Sequence, residues 1–156
     1  MRKLVLTRFF PYTTSSPKRL RNCFMLGIGG NLGDCLKRFE SLFCKIIKDS
    51  RFVVLSTSPI YRNPAFGYVH QEDFWNATMQ VSTNCGVVEV FRMIFYWERC
   101  FGRGRKREFK NAPRTLDVDL LWFNEMRLER RYLNLPHPQW SKRESVLIPL
   151  QYQNIL

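Results

Sequence analysis

The sequence predicts an α+β fold, an antiparallel sheet with helices packed on one face. Three observations carry that expectation. Four apolar stretches, "FMLGIGG", "FVVLSTSPIY", "FWNATMQVST" and "LDVDLLWF", read as strands. Two segments with apolar residues at helical spacing lie between the first and second of them and between the third and fourth. No internal repeat or domain boundary is visible across 156 residues, the usual length of one domain.

Residues 1–22 read as an N-terminal extension, and 23–156 as a single domain. Within the extension, "LVLTRFF" is a candidate short added strand. "PYTTSSPKRLRN", rich in Pro, Ser, Thr and basic residues, reads as a loop or linker. Cys23–Gly29 reads as a strand that runs into a glycine-rich turn over 30–33. Asp34 is a good N-cap residue, and Leu36, Phe39, Phe43, Ile46 and Ile47 then recur at helical spacing to about Lys48. Residues 52–61 are β-branched and apolar, hence a strand. A long loop is expected from Arg62 to Glu72, with Pro64 and Gly67 inside it. Residues 74–83 alternate as a further strand. Val88, Phe91, Ile94, Phe95, Glu98 and Arg99 place a second helix over roughly 86–100. A basic loop (102–113) leads into the last strand. "NEMRL" reads as a turn and short strand, and a final helical stretch begins around Pro138–Ser141. The resulting order, β-α-β-β-α-β, is the ferredoxin-like pattern.

Charge narrows the partners. Twenty-five basic against thirteen acidic residues give a formal net charge of +12 and a pI near 9.9. Such a surplus points to an anionic partner: nucleic acid, acidic lipid or a phosphorylated small molecule. The five cysteines, Cys23, Cys35, Cys44, Cys85 and Cys100, are odd in number and form no C-x-x-C. They read as reduced thiols of a cytosolic protein. Only two histidines occur, His70 and His137, too few and too far apart for a Cys/His zinc site. "MRKLVLTRFF" starts basic, but Arg8 interrupts the apolar run too early for a signal peptide, and no membrane span follows. A soluble, cytoplasmic monomer is the expectation.

The chemistry concentrates in "NAPRTLDVDLLWF". Residues i and i+2 of a strand share a face, so Asp117 and Asp119 project together, their backbones roughly 7 Å apart. Leu116, Val118 and Leu120 point the other way, into the core. Two parallel carboxylates repel unless a cation or a shared proton relieves them. Mg²⁺ suits, because it takes one or two carboxylates and completes its shell with water and phosphate oxygens. A solvent-facing strand face with two aspartates is the plainer alternative. The preceding loop shifts the balance: Arg103, Arg105, Lys106, Arg107, Lys110 and Arg114 supply six cationic groups in a stretch that also holds Gly102, Gly104 and Pro113. A solvated charged loop would look the same. Beside a carboxylate pair, however, it fits a polyphosphate held through metal, with arginines binding phosphate oxygens.

"PRTLDVDLL" resembles the signature segment of the 6-hydroxymethyl-7,8-dihydropterin pyrophosphokinase family. "GIGGNLGD", "SPIYRNPAFG", "FWNA", "ERCFGRGR" and "LPHP…R…VLIPL" extend the resemblance in order from about Phe24 to Leu150. It implies a ferredoxin-like enzyme of folate biosynthesis that transfers pyrophosphate from MgATP to the pterin hydroxymethyl group and releases AMP. It also implies roles for residues. Asp117 and Asp119 match ligands of two Mg²⁺ ions, and Asp119 is a candidate proton acceptor. Arg103 and Arg114 match arginines that assist the transfer, with Arg105 a further candidate at ATP. Glu98, Leu120, His137 and Arg143 fall at ATP-binding positions. Taken alone, His137 would read as a turn residue between two prolines, and Glu98 as half of a helix-end ion pair. The pterin site would draw on Asn63, Pro64, Phe66, Gly67, Phe74 and Asn76. A flat ring with a hydrogen-bonding edge suits an aromatic face and a carboxamide. Without the resemblance, Phe74 would read as core and Asn76 as a polar strand-edge residue.

Three departures from the family pattern bear on pterin affinity and loop closure. Ser145 stands where a second aromatic is frequent, with Trp140 as the nearest replacement. Asn63 stands for a usual Thr. Lys110 or Asn111 occupies the place of a loop Trp, with Phe109 nearby.

Two other classes compete. A ferredoxin-like RNA-binding module would fit the fold and charge. It needs stacking aromatics in a K/R-G-F/Y-type strand motif, which is absent, and two aspartates on the sheet would repel a phosphate backbone. A catalytically dead relative would not be expected to keep Asp117, Asp119, Arg103, Arg114 and His137 together.

Overall fold

A computed structural model describes residues 2–15, 18–64, 70–102 and 115–156. Their order is β1 (Lys3–Val5), β2 (Tyr12–Thr13), β3 (Asn22–Gly30), α1 (Cys35–Ile47), β4 (Phe52–Thr57), β5 (Ile60–Asn63), β6 (Phe74–Thr83), α2 (Val87–Cys100), β7 (Asp117–Phe123), β8 (Leu128–Glu129), β9 (Asn134–Leu135) and α3 (Glu144–Gln151). The main sheet runs β7-β3-β6-β4, every pair antiparallel. With β3, β4, β6 and β7 as the four core strands, this is the ferredoxin-like order, and α1 and α2 cover one face.

Each helix buries one stripe. In α1 the Asp34 carboxylate accepts from the Lys37 N–H at 3.0 Å and caps the first turn. Phe39, Leu42, Phe43 and Ile46 then pack inward, while Ile47 turns out. In α2 the buried stripe is Val90, Ile94 and Trp97. Val88 and Phe95, counted in the expected apolar face, are 59% and 47% exposed. The helical period runs i, i+4, i+7 from Val90, and those two residues fall outside it.

The long apolar run expected as one strand divides at Ser58–Pro59. Proline has no N–H for the ladder. Ser58 compensates on Thr78: its N–H donates to the Thr78 carbonyl at 3.0 Å, and its hydroxyl accepts from the Thr78 N–H at 2.9 Å. The chain thus resumes as β5 on the same partner, β6, and Arg62 and Asn63, expected in a loop, pair with Trp75 and Phe74.

The opposite face of the sheet is smaller and mixed. Leu121 and Trp122 form a bulge in β7, since Leu26 pairs with Leu120 but Met25 with Trp122. Leu121 therefore joins Met25 and Val146 of α3 in a second core, with Trp122 and Trp140 against it. Farther along, the C-terminal residues meet polar side chains of β6. Gln80 and the Leu156 main chain exchange two hydrogen bonds, at 2.7 and 2.8 Å. Gln153 bonds Thr78 and Ser56.

The N-terminal segment adds two short strands to the sheet. β1 pairs with β5 and β2 with β4. Between them Phe10 is fully buried, its ring centroid 6.0 Å from that of Phe39 and 6.2 Å from that of Phe43. Phe10→Ala is expected to lower the unfolding free energy by about 3–5 kcal/mol in urea titrations, the usual cost of an emptied phenylalanine site. A loss under about 1 kcal/mol would show that this segment lies on the core without belonging to it.

Candidate active site

The site begins with the β7–β3–β6 register. Asp117 lies opposite Gly29 of β3, and Gly29 lies opposite Asn76 of β6. Asp119, Gly27 and Thr78 form the next row. Directly paired residues share a face, so the two aspartates, two glycines and Asn76 face the same side. Leu116, Val118 and Leu120 are buried on the other side. Between the carboxylates and the carboxamide runs β3 with glycines at 27 and 29, Gly27 lying under the Leu121 side chain, and the two flanking strands are roughly 10 Å apart.

The glycine at 29 is there for space. A Cβ on it would come within 2.8 Å of Asn76 Oδ1. The Asn76 amide donates from Nδ2 to Asn63 Oδ1 at 3.0 Å, which orients its carboxamide. Phe74, two residues along, presents to the same face, and Pro64 follows Asn63 at the exposed end of β5. Asn63, Phe74 and Asn76 are thus brought together.

The second half of the site is a cleft of about 360 Å³ along the outer edge of β7. Asp117, Asp119, Leu120, Glu98 and His137 all line it. Glu98 is 7% exposed and accepts the Val118 N–H at 2.9 Å. Glu98, at an ATP-binding position by the family resemblance and half of a helix-end ion pair on the plainer reading, also holds the edge strand between the two aspartates. Leu120, two residues on, directs its main chain to the same open edge. Arg143, just before α3, approaches Asp119 at 3.5 Å.

His137 is fixed by its backbone, whose N–H donates to the Leu121 carbonyl at 2.7 Å. Its Nδ1 accepts from the Gln139 N–H at 3.2 Å, leaving the proton of the neutral ring on Nε2. Burial lowers its pKa from the ordinary 6.5, the Arg143 charge lowers it further, and Asp117 acts in the opposite sense.

Several features were not singled out from the sequence. The glycine strip needed the register of three strands. Arg38 of α1 donates to the Leu32 carbonyl at 2.6 Å and the Thr115 carbonyl at 2.8 Å, tying the glycine-rich turn to the start of β7. Trp140, the possible second ring, stands edge-on to Trp122 at 5.2 Å and is engaged in the second core. Phe66, Gly67, Arg103, Arg105 and Arg114 lie outside the described residues.

Among the described residues no group of three or more His, Cys, Asp or Glu side chains forms a metal cage. The donor set suits a hard cation that needs only one or two protein carboxylates, which is Mg²⁺ with phosphate and water oxygens.

A family model described as 7,8-dihydro-6-hydroxymethylpterin-pyrophosphokinase matches residues 25–154. The chain is 45% identical to a Helicobacter pylori 2-amino-4-hydroxy-6-hydroxymethyldihydropteridine pyrophosphokinase, covering 100% of this chain and 96% of that one. A Campylobacter jejuni protein of the same name is 40% identical over 92% of this chain and 90% of its own. One from Bacillus subtilis is 30% identical over 84% and 77%.

Two outcomes follow from this geometry. Gly29→Ala is expected to push the Asn76 carboxamide off Asn63, moving both side-chain amide signals in NMR spectra while α1 signals hold; unmoved amides would refute the close approach. The Cε1–H of His137 should titrate below pH 6.5, and Arg143→Gln should raise that midpoint only in part, because burial remains. The sign for stability follows. The contribution of His137 is fully present above 6.5 and is lost as pH falls through its lowered folded value, because the unfolded chain takes up the proton first. A midpoint at or above 6.5 would contradict this.

Proposed function

The chain belongs to the 7,8-dihydro-6-hydroxymethylpterin-pyrophosphokinase family, and from that premise we propose how its residues divide the reaction. The protein is an ATP-dependent diphosphotransferase of folate biosynthesis. It transfers pyrophosphate from ATP to 6-hydroxymethyl-7,8-dihydropterin, giving the pterin diphosphate and AMP. The hydroxymethyl oxygen attacks the β-phosphorus, the bond from that phosphorus to the α-phosphate oxygen breaks, and AMP leaves with that oxygen. Alignment and charge stabilisation are the protein's main tasks in such a transfer.

We assign the pterin to the glycine strip, with Phe74 against its face and the Asn76 carboxamide on its edge. Asn63 holds that carboxamide, and Pro64, Phe66 and Gly67 complete the site. The polyphosphate takes the β7 edge. There Asp117 and Asp119 would hold Mg²⁺, two ions in our reading. Bound there, the metal would polarise the phosphates and make the substrate hydroxyl more acidic. We assign Asp119 to take the hydroxyl proton. Arg143 and the Nε2–H of His137 donate to phosphate oxygens; the neutral imidazole gives its hydrogen bond without adding a charge. Arg103 and Arg114 neutralise the charge that develops on transfer, and Arg105 joins them at ATP. Glu98 and Leu120 shape the nucleotide side of the cleft. The observation that carries this reading is the single face shared by Asp117, Asp119, Gly29 and Asn76.

We read the working unit as a monomer, since both halves of the site come from one chain. We read the compartment as the cytoplasm, since all five cysteines are free thiols. No described helix is long and apolar enough to cross a membrane.

With ATP, Mg²⁺ and the hydroxymethylpterin, the wild-type protein should produce AMP and the pterin diphosphate in equal amounts. Chelation of Mg²⁺ should stop the reaction, and adding it back should restore it. Asp117→Asn and Asp119→Asn should each lower kcat by about 100-fold or more, the scale of losing a charge stabiliser at the transition state. Turnover by either variant at the wild-type rate would remove it from the proposed machinery, and a wild-type protein that forms no AMP would overturn the residue assignments together.

A further inference from the structure

Residues 2–13 precede the family match at 25–154 and lie outside the residues assigned above. Their contacts nevertheless reach both halves of the site. In β1, Lys3, Leu4 and Val5 pair with Arg62, Tyr61 and Ile60 of β5. On its other edge β5 sets Tyr61 opposite Asn76 and Asn63 opposite Phe74. One added strand therefore closes the outer edge of the short strand that presents Asn63.

The second contact runs to α3. Alternation puts Leu4 and Tyr61 on the site face, and Arg2 with them. The Arg2 guanidinium lies 3.1 Å from the Glu144 carboxylate, and both groups stand close enough to the Tyr61 side chain to act on it electrostatically. Glu144 opens α3 and directly follows Arg143, the residue on Asp119. A strand, a tyrosine of β5 and the first residue of α3 thus meet at one carboxylate. The rest of the segment is anchored independently. Phe9 stacks on Phe43 at 4.4 Å, the Thr57 hydroxyl donates to the Phe9 carbonyl at 2.5 Å, and Phe10 fills the core.

We propose that the N-terminal strand is a working part of the acceptor site, in which Arg2, through Glu144 and Tyr61, is a positioning residue that holds β5 and the Arg143 end of α3 in a fixed relation. This rests on the assignment of Asn63 and Asn76 to the pterin and of Arg143 to phosphate. The physical case is one of geometry. Arg2 and Glu144 have side chains 62% and 46% exposed, and an exposed ion pair adds little to stability. What it does is add a side-chain tie across two elements that already pack together, and so restrict how they sit. Small misplacements of reacting groups cost far more in rate than in folding.

The test compares Arg2→Ala, Arg2→Lys and a deletion of residues 2–6 that leaves Phe9 and Phe10 in place, all in the otherwise intact chain. Arg2→Ala is expected to keep the wild-type melting temperature. Its KM for the pterin should rise by about three- to tenfold and its kcat fall severalfold, with the KM for ATP changed less. Arg2→Lys, which keeps the charge, should recover most of the loss. The deletion should exceed Arg2→Ala in the same direction. If wild type turns over while Arg2→Ala matches it in pterin KM and kcat, Arg2 positions nothing. If the deletion folds and also matches wild type, the strand has no part in the site. If the loss in Arg2→Ala tracks a lowered melting temperature and spreads equally over both substrates, the contact is structural only and the proposal falls. A wild-type protein without activity would instead overturn the assignment on which it rests.

Discussion

The pairing of β7 with β3 is the constraint on which the rest depends. β7 is the outermost strand of the four-stranded core, yet it carries both aspartates. An edge strand leaves half its main-chain groups without a sheet partner and is free to fray. Here the buried Glu98 carboxylate takes the Val118 N–H, and the Leu121 carbonyl receives the His137 N–H. These contacts come from elements on either side of the cleft, so the hydrogen bonds that hold the strand also build the walls around its carboxylates. The bulge at Leu121–Trp122 completes the arrangement. It sends the residue after the aspartate stretch into the second core, which fixes how far the polar face extends.

The two halves of the site have different physical characters. The strip of Gly27 and Gly29 carries no side chains of its own and borders a carboxamide whose orientation is set by another carboxamide. It suits a neutral flat ring read at its edge. The β7 cleft is lined by ionisable groups, Asp117, Asp119 and His137, with the Arg143 guanidinium on Asp119. It suits a polyanion accompanied by a cation. On the assignment proposed above, the reacting atoms meet where these halves join, at the row of Asp117, Gly29 and Asn76.

Much of this was legible in the sequence, for reasons that differ by residue. The alternation from Leu116 to Leu120 is local, and it placed Asp117 and Asp119 on one face without any knowledge of the fold. Asp34 announced its helix because capping is also local. What was hidden depended on partners distant in the chain. Nothing around Glu98 says that its carboxylate will meet Val118. The use of Gly29 emerges only when β3 has neighbours on both sides. The stripe of α2 kept Ile94 but took Val90 and Trp97 in place of Val88 and Phe95, because an apolar helix offers several registers and the sheet selects one. Arg62 and Asn63 looked like loop because Pro64 follows them, but pairing with β6 carries the strand up to that proline. The N-terminal residues were the least legible. Their strands are two and three residues long and exist because β4 and β5 already offer edges.

The glycine strip has a consequence for inhibition. A ligand resting on side chains can be escaped by trimming or exchanging them. A ligand lying at Gly29 rests against main chain, which no substitution removes. The chain could change that surface only by adding a side chain, and at Gly29 the added atom collides with the amide assigned to the natural substrate. Resistance arising there would carry its own loss of activity, whereas the rim residues around it remain free to vary.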